Sequence, residues 1–273
     1  MLSRNGETCR LTTSPGTAPP SAELPPFVPE LLIMQGGQSG EGRAGMRYRD
    51  LIPGRLGGRY IASHITISEG GPVSDWVHFH HIALQMIYVR SGWVRVVYED
   101  QGKPFVMNEG DLVLQPPGIR HRVLESSALL EVVEITAPAL HETLADHDLV
   151  LPNADFDPSR LFDGQRFLHH VAAEASWTPL DGAEVQQTAV PDASGGLADV
   201  RTFRRGAADE IHFARHDGEL VFGFILEGTA RLHARGVQEL GPADAFVIPP
   251  NDPWRLSSLS PDFRLLQVTT SRL

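Results

Sequence analysis

Apolar and β-branched residues along this chain come in short runs, each closed by Gly, Pro, Asn or Asp. Ile65–Gly71 (ITISEGG), Met86–Gly92 (MIYVRSG) and Val94–Gly102 (VRVVYEDQG) show the pattern. Runs of this length, with side chains alternating between two faces, read as strands, and the residues that close them are those of tight turns. Many short strands in succession predict small barrels or sandwiches, so the expected fold class is all-β. A helical period occurs only near Leu140 to Leu144. Residues 1–29 are rich in Ser, Thr, Pro and Gly without a sustained apolar period. They bury too little surface to offset ordering and are expected to form a disordered or draping arm. Residues 138–164 carry the acidic run ADHDLVLPNADFDPSR and read as a linker. The remaining segments, 30–137 and 165–273, are the two expected domains.

Those two segments resemble each other. DWVHFHH at Asp75–His81 has the counterpart DEIHFARH at Asp209–His216. Gln85–Tyr98 corresponds to Phe222–His233, each pivoting on a glycine, Gly92 or Gly228. GDLVLQPPGIRH at Gly110–His121 is echoed by ADAFVIPPNDPW at Ala243–Trp254. The interval stays between 133 and 136 residues, too long for a solenoid unit and suited to a duplicated domain.

Composition narrows the class of function. The 273 residues suffice for two ordinary domains. Net charge is −11, and Lys103 is the one lysine among the 23 cationic side chains. No basic stripe is available to neutralise phosphates, so no nucleic-acid partner is expected. No apolar run approaches the ~18 residues of a membrane span, and the N-terminal MLSRNGETCR lacks the apolar core of a signal peptide. Cys9 is the single cysteine and cannot form an intrachain disulfide. A cytoplasmic protein is the expectation.

Candidate chemistry centres on histidine. His78 and His80 stand two apart on a predicted strand, so their imidazoles point to one face. Gln85 follows His80 after four residues, and Gly92 follows Gln85 after six. His121 ends a second phrase that runs Gly110, Pro116, Gly118, His121.

These phrases resemble the paired motifs of the cupin superfamily, G-(x)5-H-x-H-(x)3,4-E-(x)6-G and G-(x)5-P-x-G-(x)2-H-(x)3-N. The second matches at every position but the last, where Glu125 stands for Asn. The resemblance spans roughly Met46 to Pro138 and returns in weakened form from about Phe167. It implies a bicupin of two double-stranded β-helix (jelly-roll) barrels, with His78, His80 and His121 as metal ligands. Gln85 matches the family's usual glutamate ligand; its amide oxygen can coordinate but brings no charge. Three neutral imidazoles with an amide oxygen leave a divalent ion its full charge, so the site favours an anionic chelating ligand such as an enolate or catecholate. One divalent ion per chain is implied: Fe(II) is the expectation, with Mn(II), Ni(II), Cu(II) and Zn(II) also suited to such a donor set. The competing reading of His-x-His is a hydrogen-bonded histidine pair without metal.

Other residues carry weaker expectations. Arg120 and Arg122 flank His121, and either one facing the cavity would hold a substrate carboxylate or enolate with its planar donor fork. Tyr88, Trp93 and Tyr98 are candidates for the cavity wall. Glu131 and Glu134 cannot share a face of one regular strand, so at most one serves as an internal base. His64, His141, His147, His169, His170 and His233 read as surface or packing residues. In the second copy two registers are open, pairing His78 with His212 or His80 with His216. Each lacks a ligand, and Trp254 stands where His121 stands. That barrel is expected to bind no metal; a cryptic site from His212, His216 and Glu219 is the rival.

Three functions remain open. The first is a metal-dependent dioxygenase taking O2 and a small anionic substrate, in a homodimer. The second is a metal-assisted isomerase or lyase acting on a sugar or small acid. The third is a non-catalytic binder of a small ligand.

Overall fold

The computed structural model describes residues 8–11, 23–42 and 45–273. Most of the expected N-terminal arm, 1–7 and 12–22, lies outside the described residues. Two compact units are present, Met1–Pro26 with Gln38–Ala173, and Phe27–Gly37 with Glu174–Leu273. No described helix is long and apolar enough to cross a membrane.

The first unit is built from two large sheets, with the small pair Leu161–Phe162 and Gln165–Arg166 beside them in sequence. One runs in the order Thr8–Leu11, Glu142–Ala145, His78–His80, His121–Ser126, Trp93–Tyr98, Phe105–Asn108, with Gly71–Pro72 also on His121–Ser126. The other runs Leu168–His170, Leu112–Leu114, Leu84–Ser91, Leu130–Ala137, Ile61–Ile67, Arg47–Asp50, Gly40–Glu41. Every pairing is antiparallel except that of Thr8–Leu11 with Glu142–Ala145. Period-two alternation sends Ile65, Ile67, Val89, Val94, Val96, Val113, Leu130 and Val132 into one core between the sheets.

The second unit repeats this plan. Its larger sheet runs Thr178–Leu180, Ala183–Gln187, Ala198–Arg205, Arg264–Thr270, Val221–Glu227, Ala245–Ile248, Leu32–Met34, and its smaller one Ile211–Phe213, Trp254–Ser257, Ala230–His233, Val237–Leu240. Both repeats turn in the same way. Gly92 (φ 80°) and Gly228 (φ 69°) lie in the left-handed region, and a Cβ on either would stand 2.4 or 2.3 Å from the hydroxyl of Ser127 or Ser260. Those hydroxyls accept from the next amides, Trp93 N at 3.0 Å and Thr229 N at 2.8 Å. Where the first copy has Gly118 at φ 73°, the second has Asn251 at φ 63°, the non-glycine residue that tolerates this backbone well.

The boundaries differ from the sequence expectation in three ways. Residues 138–164 are not merely a linker, because Glu142–Ala145 pairs with His78–His80 inside the first barrel. The helical period near Leu140 becomes this strand, since two flanking strands satisfy its backbone whereas a helix of one turn gains little. Leu168–His170 pairs with Leu112–Leu114 of the first unit, while Leu32–Met34 pairs with Ala245–Ile248 of the second. Each unit thus takes its last strand from across the expected boundary.

Candidate metal centre

Three neighbouring strands bring the histidines together. His121 opens the strand His121–Ser126 and pairs directly with His78, while His80 pairs with Thr143. The three rings lie 4.2 to 5.2 Å apart between centroids, and one nitrogen of each falls within 4.8 Å of the others. All three side chains are buried, at 1%, 8% and 5% exposure for His78, His80 and His121.

Their orientation is set from behind. Nδ1 of His78 lies 2.8 Å from the Trp76 carbonyl, that of His80 2.9 Å from Thr143 Oγ1, and that of His121 3.1 Å from the Ile119 carbonyl. A carbonyl accepts only, so Nδ1 of His78 and His121 carries the proton and Nε2 keeps its lone pair. Asp75, buried beside His78 with Oδ1 3.6 Å from Nδ1, adds negative charge behind that ring. A neutral donor face toward the centre and a hydrogen-bonded rear face form the arrangement that divalent metals require of histidine. The residues present therefore fit a metal ion.

Gln85 lines the same cavity, together with Tyr98, Gln115 and Glu134. Gln115 Nε2 donates to Gln85 Oε1 at 2.7 Å and stands 3.2 Å from His121 Nε2. Gln85 Nε2 donates to Glu134, and the Tyr98 hydroxyl donates to Gln115 Oε1 at 2.9 Å. Burial, reinforced by the charge of Glu134, pushes the Tyr98 phenol well above its ordinary pKa, so it keeps its proton. Above this polar floor the walls are apolar, formed by Met46, Ile65, Ile87, Val94, Val132 and their neighbours, around a cavity of about 120 Å³.

Arg120 and Arg122 correct the expectation placed on them. They alternate with His121 and point to the opposite face, and neither lines the cavity. The Arg120 guanidinium lies 4.4 Å from the Phe79 ring and bonds Asp146 at 3.2 Å. Of the two glutamates, Glu134 lines the cavity, while Glu131 bonds His64 and Arg90. The hydrogen bond from His64, then that from Arg90, holds the Glu131 carboxyl down at about 2 against opposing desolvation. Of the aromatic candidates Tyr98 faces the cavity; Tyr88 and Trp93 do not line it.

Thr143 and Gln115 were missed in the sequence reading. Thr143 lies 63 positions from the ring it holds, so no local pattern reveals it. Gln115 immediately precedes the Pro-x-Gly phrase, and that adjacency was the available signal. His141, read as packing or surface, is buried with its ring edge-on to His80 at 5.5 Å.

The second barrel holds no counterpart of this cluster among the described residues. Trp254 pairs with Phe213 as His121 pairs with His78, so the true register lies midway between the two considered and places Arg215 at the position of His80. Phe213 and Trp254 stack at 3.8 Å and 3°. His212 is 66% exposed and paired with Glu210, and His216 Nε2 meets the Ile248 carbonyl, so the His212, His216 and Glu219 site is not formed.

Comparison with known proteins agrees with this anatomy. Residues 63–135 match the Cupin_2 family, described as cupin domain. No curated protein sequence matches the chain significantly. Among solved structures, oxalate decarboxylase from Bacillus subtilis is similar at a TM-score of 0.67 and 10% identity, covering 92% of this chain and 77% of that one. Salicylate 1,2-dioxygenase from Pseudaminobacter salicylatoxidans is similar at 0.62 and 16%, covering 82% and 76%. At these identities the likeness is one of fold. Residues 63–135 form a cupin domain, and the chain is all-β, with the cupin fold and a histidine cluster suited to a metal ion in its first barrel.

Proposed function

We propose that the first barrel is the active site of a mononuclear metal-dependent dioxygenase. In this reading Fe(II) is held by His78, His80 and His121 with Gln85 Oε1 as fourth donor, and the substrate is a small enolate, phenolate or dioxygenated organic acid. The observation that carries it is the convergence of one ring nitrogen from each of three histidines, each Nδ1 held by a hydrogen bond, on the floor of an apolar-walled cavity. A bound divalent ion supplies Lewis acidity and, as Fe(II), electrons for reaction with O2.

The residues of the chain do the rest. Neutral imidazoles and an amide leave the centre attractive to an anion, and Glu134 returns one negative charge a hydrogen bond farther out. The apolar walls exclude water and sort by size. About 120 Å³ is of the order of the ~150 Å³ cavity that accepts one benzene ring, so a single small ring or a short branched chain is the largest body that fits. The names of the two structural relatives give salicylate and oxalate as substrates, both small anions, and the decarboxylase is described with Mn(II) centres.

Metal-assisted lyase or isomerase chemistry is the second reading, favoured by Glu134, a carboxylate placed in the cavity wall where proton transfer can use it. The test is elemental analysis of protein purified without a metal-affinity tag, followed by oxygen uptake with small enolates and phenols. About one metal per chain and uptake abolished by His121→Ala is the expected result. Uptake that survives His121→Ala sinks the proposal, whereas turnover without oxygen, supported by Zn(II), selects the second reading.

A further inference from the structure

We infer that Gln115 is the substrate-positioning donor of this site: its amide N–H is turned toward the histidine centre to hydrogen-bond an anionic oxygen of the bound substrate. The inference rests on the metal-centre reading above and adds to it a residue outside the ligand set.

An amide side chain is nearly symmetric in shape, so its neighbours decide which end faces a site. Here the decision starts at Glu134, whose Oε1 accepts from Gln85 Nε2. That leaves Gln85 Oε1 as the end that needs a donor. Gln115 Nε2 supplies it at 2.7 Å. The Gln115 carbonyl is then turned away and takes the Tyr98 hydroxyl at 2.9 Å. The three hydrogen bonds thus give the whole chain of four side chains a single direction.

The amide nitrogen of Gln115 has two hydrogens, and only one is spent on Gln85. The other faces His121 Nε2 at 3.2 Å, the nitrogen that carries a lone pair because Nδ1 donates to the Ile119 carbonyl. A fixed N–H at the point where the histidines converge is a group suited to an oxyanion. Gln85, Tyr98 and Gln115 are each 2% exposed or less, so water competes little for these bonds. The second barrel supports the pairing of chain and centre. Val221 and Ile248 pair there as Gln85 and Gln115 do in the first, so both amides are absent where the histidines are absent.

The test uses the full chain loaded with Zn(II), which is redox-inert, and catechol as the anionic probe, with affinity read by calorimetry. Gln115→Met is expected to keep one zinc per chain and bind catechol about tenfold more weakly, the scale of one hydrogen bond to a charged group. Tyr98→Phe, which frees the Gln115 amide to turn, is expected to weaken catechol several-fold, also with zinc retained. The double variant is expected to be no worse than Gln115→Met alone, because Tyr98 acts through Gln115. A structural role for either residue would move zinc content and melting temperature instead. Unchanged catechol affinity in Gln115→Met with zinc retained overturns the inference alone. So does loss of zinc in that variant, which would make Gln115 a ligand. Additive effects in the double variant overturn the role of Tyr98; should Gln115→Met not fold, Tyr98→Phe against wild type still reports whether the amide is steered, and unchanged catechol affinity there overturns the inference. Failure of the wild-type chain to bind zinc removes the metal centre and this inference with it.

Discussion

The two barrels share a frame and differ in what fills it. Both pivot on a glycine held under a serine hydroxyl, and both carry the left-handed position before the third-ligand strand. Inside the first, three imidazoles, two amides and a carboxylate form a polar floor. Inside the second, Phe213, Trp254 and Phe246 fill the corresponding space with rings. Gly223 makes this possible, because a Cβ there would lie 2.1 Å from the Phe246 ring. The difference teaches that turns and strand alternation carry the fold, while a few inward positions decide whether the interior does chemistry or packs.

The sharpest way to break the comparison is to exchange the consequences of His121 and Trp254. His121→Ala is expected to take metal content from about one per chain to near zero. Trp254→Ala is expected to leave metal content unchanged and cost about 3–5 kcal/mol, read by chemical denaturation, because it opens a cavity in a stacked core. Metal loss in Trp254→Ala would show that the second interior is not merely packing. A smaller effect is expected from Thr143→Val, which removes the partner of His80 Nδ1 without touching the donor face. Metal affinity should fall about 10- to 100-fold, measured by competition with a chelator. An unchanged affinity would mean that His80 is oriented by packing alone.

The smallest expected effect concerns Glu131, on the face of its strand away from the cavity. Its folded pKa, about 2, lies below the ordinary 4.5, so its stabilisation is present above about pH 4.5 and is lost as pH falls toward about 2. The carboxylate is partly solvated, and after allowance for screening the contribution is about 1 kcal/mol. Glu131→Gln should flatten the stability profile by that amount across the window, and an unaltered acid limb would show that the ion pairs with His64 and Arg90 contribute nothing.

Much of the frame was legible without coordinates. The glycine and asparagine turns, the period-two runs and the histidine phrase are local patterns, and local sterics enforce them. The substitution of Trp254 at the third-ligand position was equally plain. The side of Arg120 and Arg122 was left open, and alternation about His121 on one strand turns both away from the cavity. Glu134 was one of two choices that only the pairing could resolve.

The sequence by itself determined the duplicated all-β design and which residues are able to ligate a metal. Only the tertiary structure decided the register of the second barrel, which unit Leu32–Met34 and Leu168–His170 join, and how the companions of the histidines meet. Thr143, Gln85, Tyr98 and Glu134 come from four different strands and Gln115 from the segment after Leu112–Leu114, and they meet only when the sheets close. A slip of one residue would turn any of them outward, and it is the packing of the whole barrel that forbids the slip.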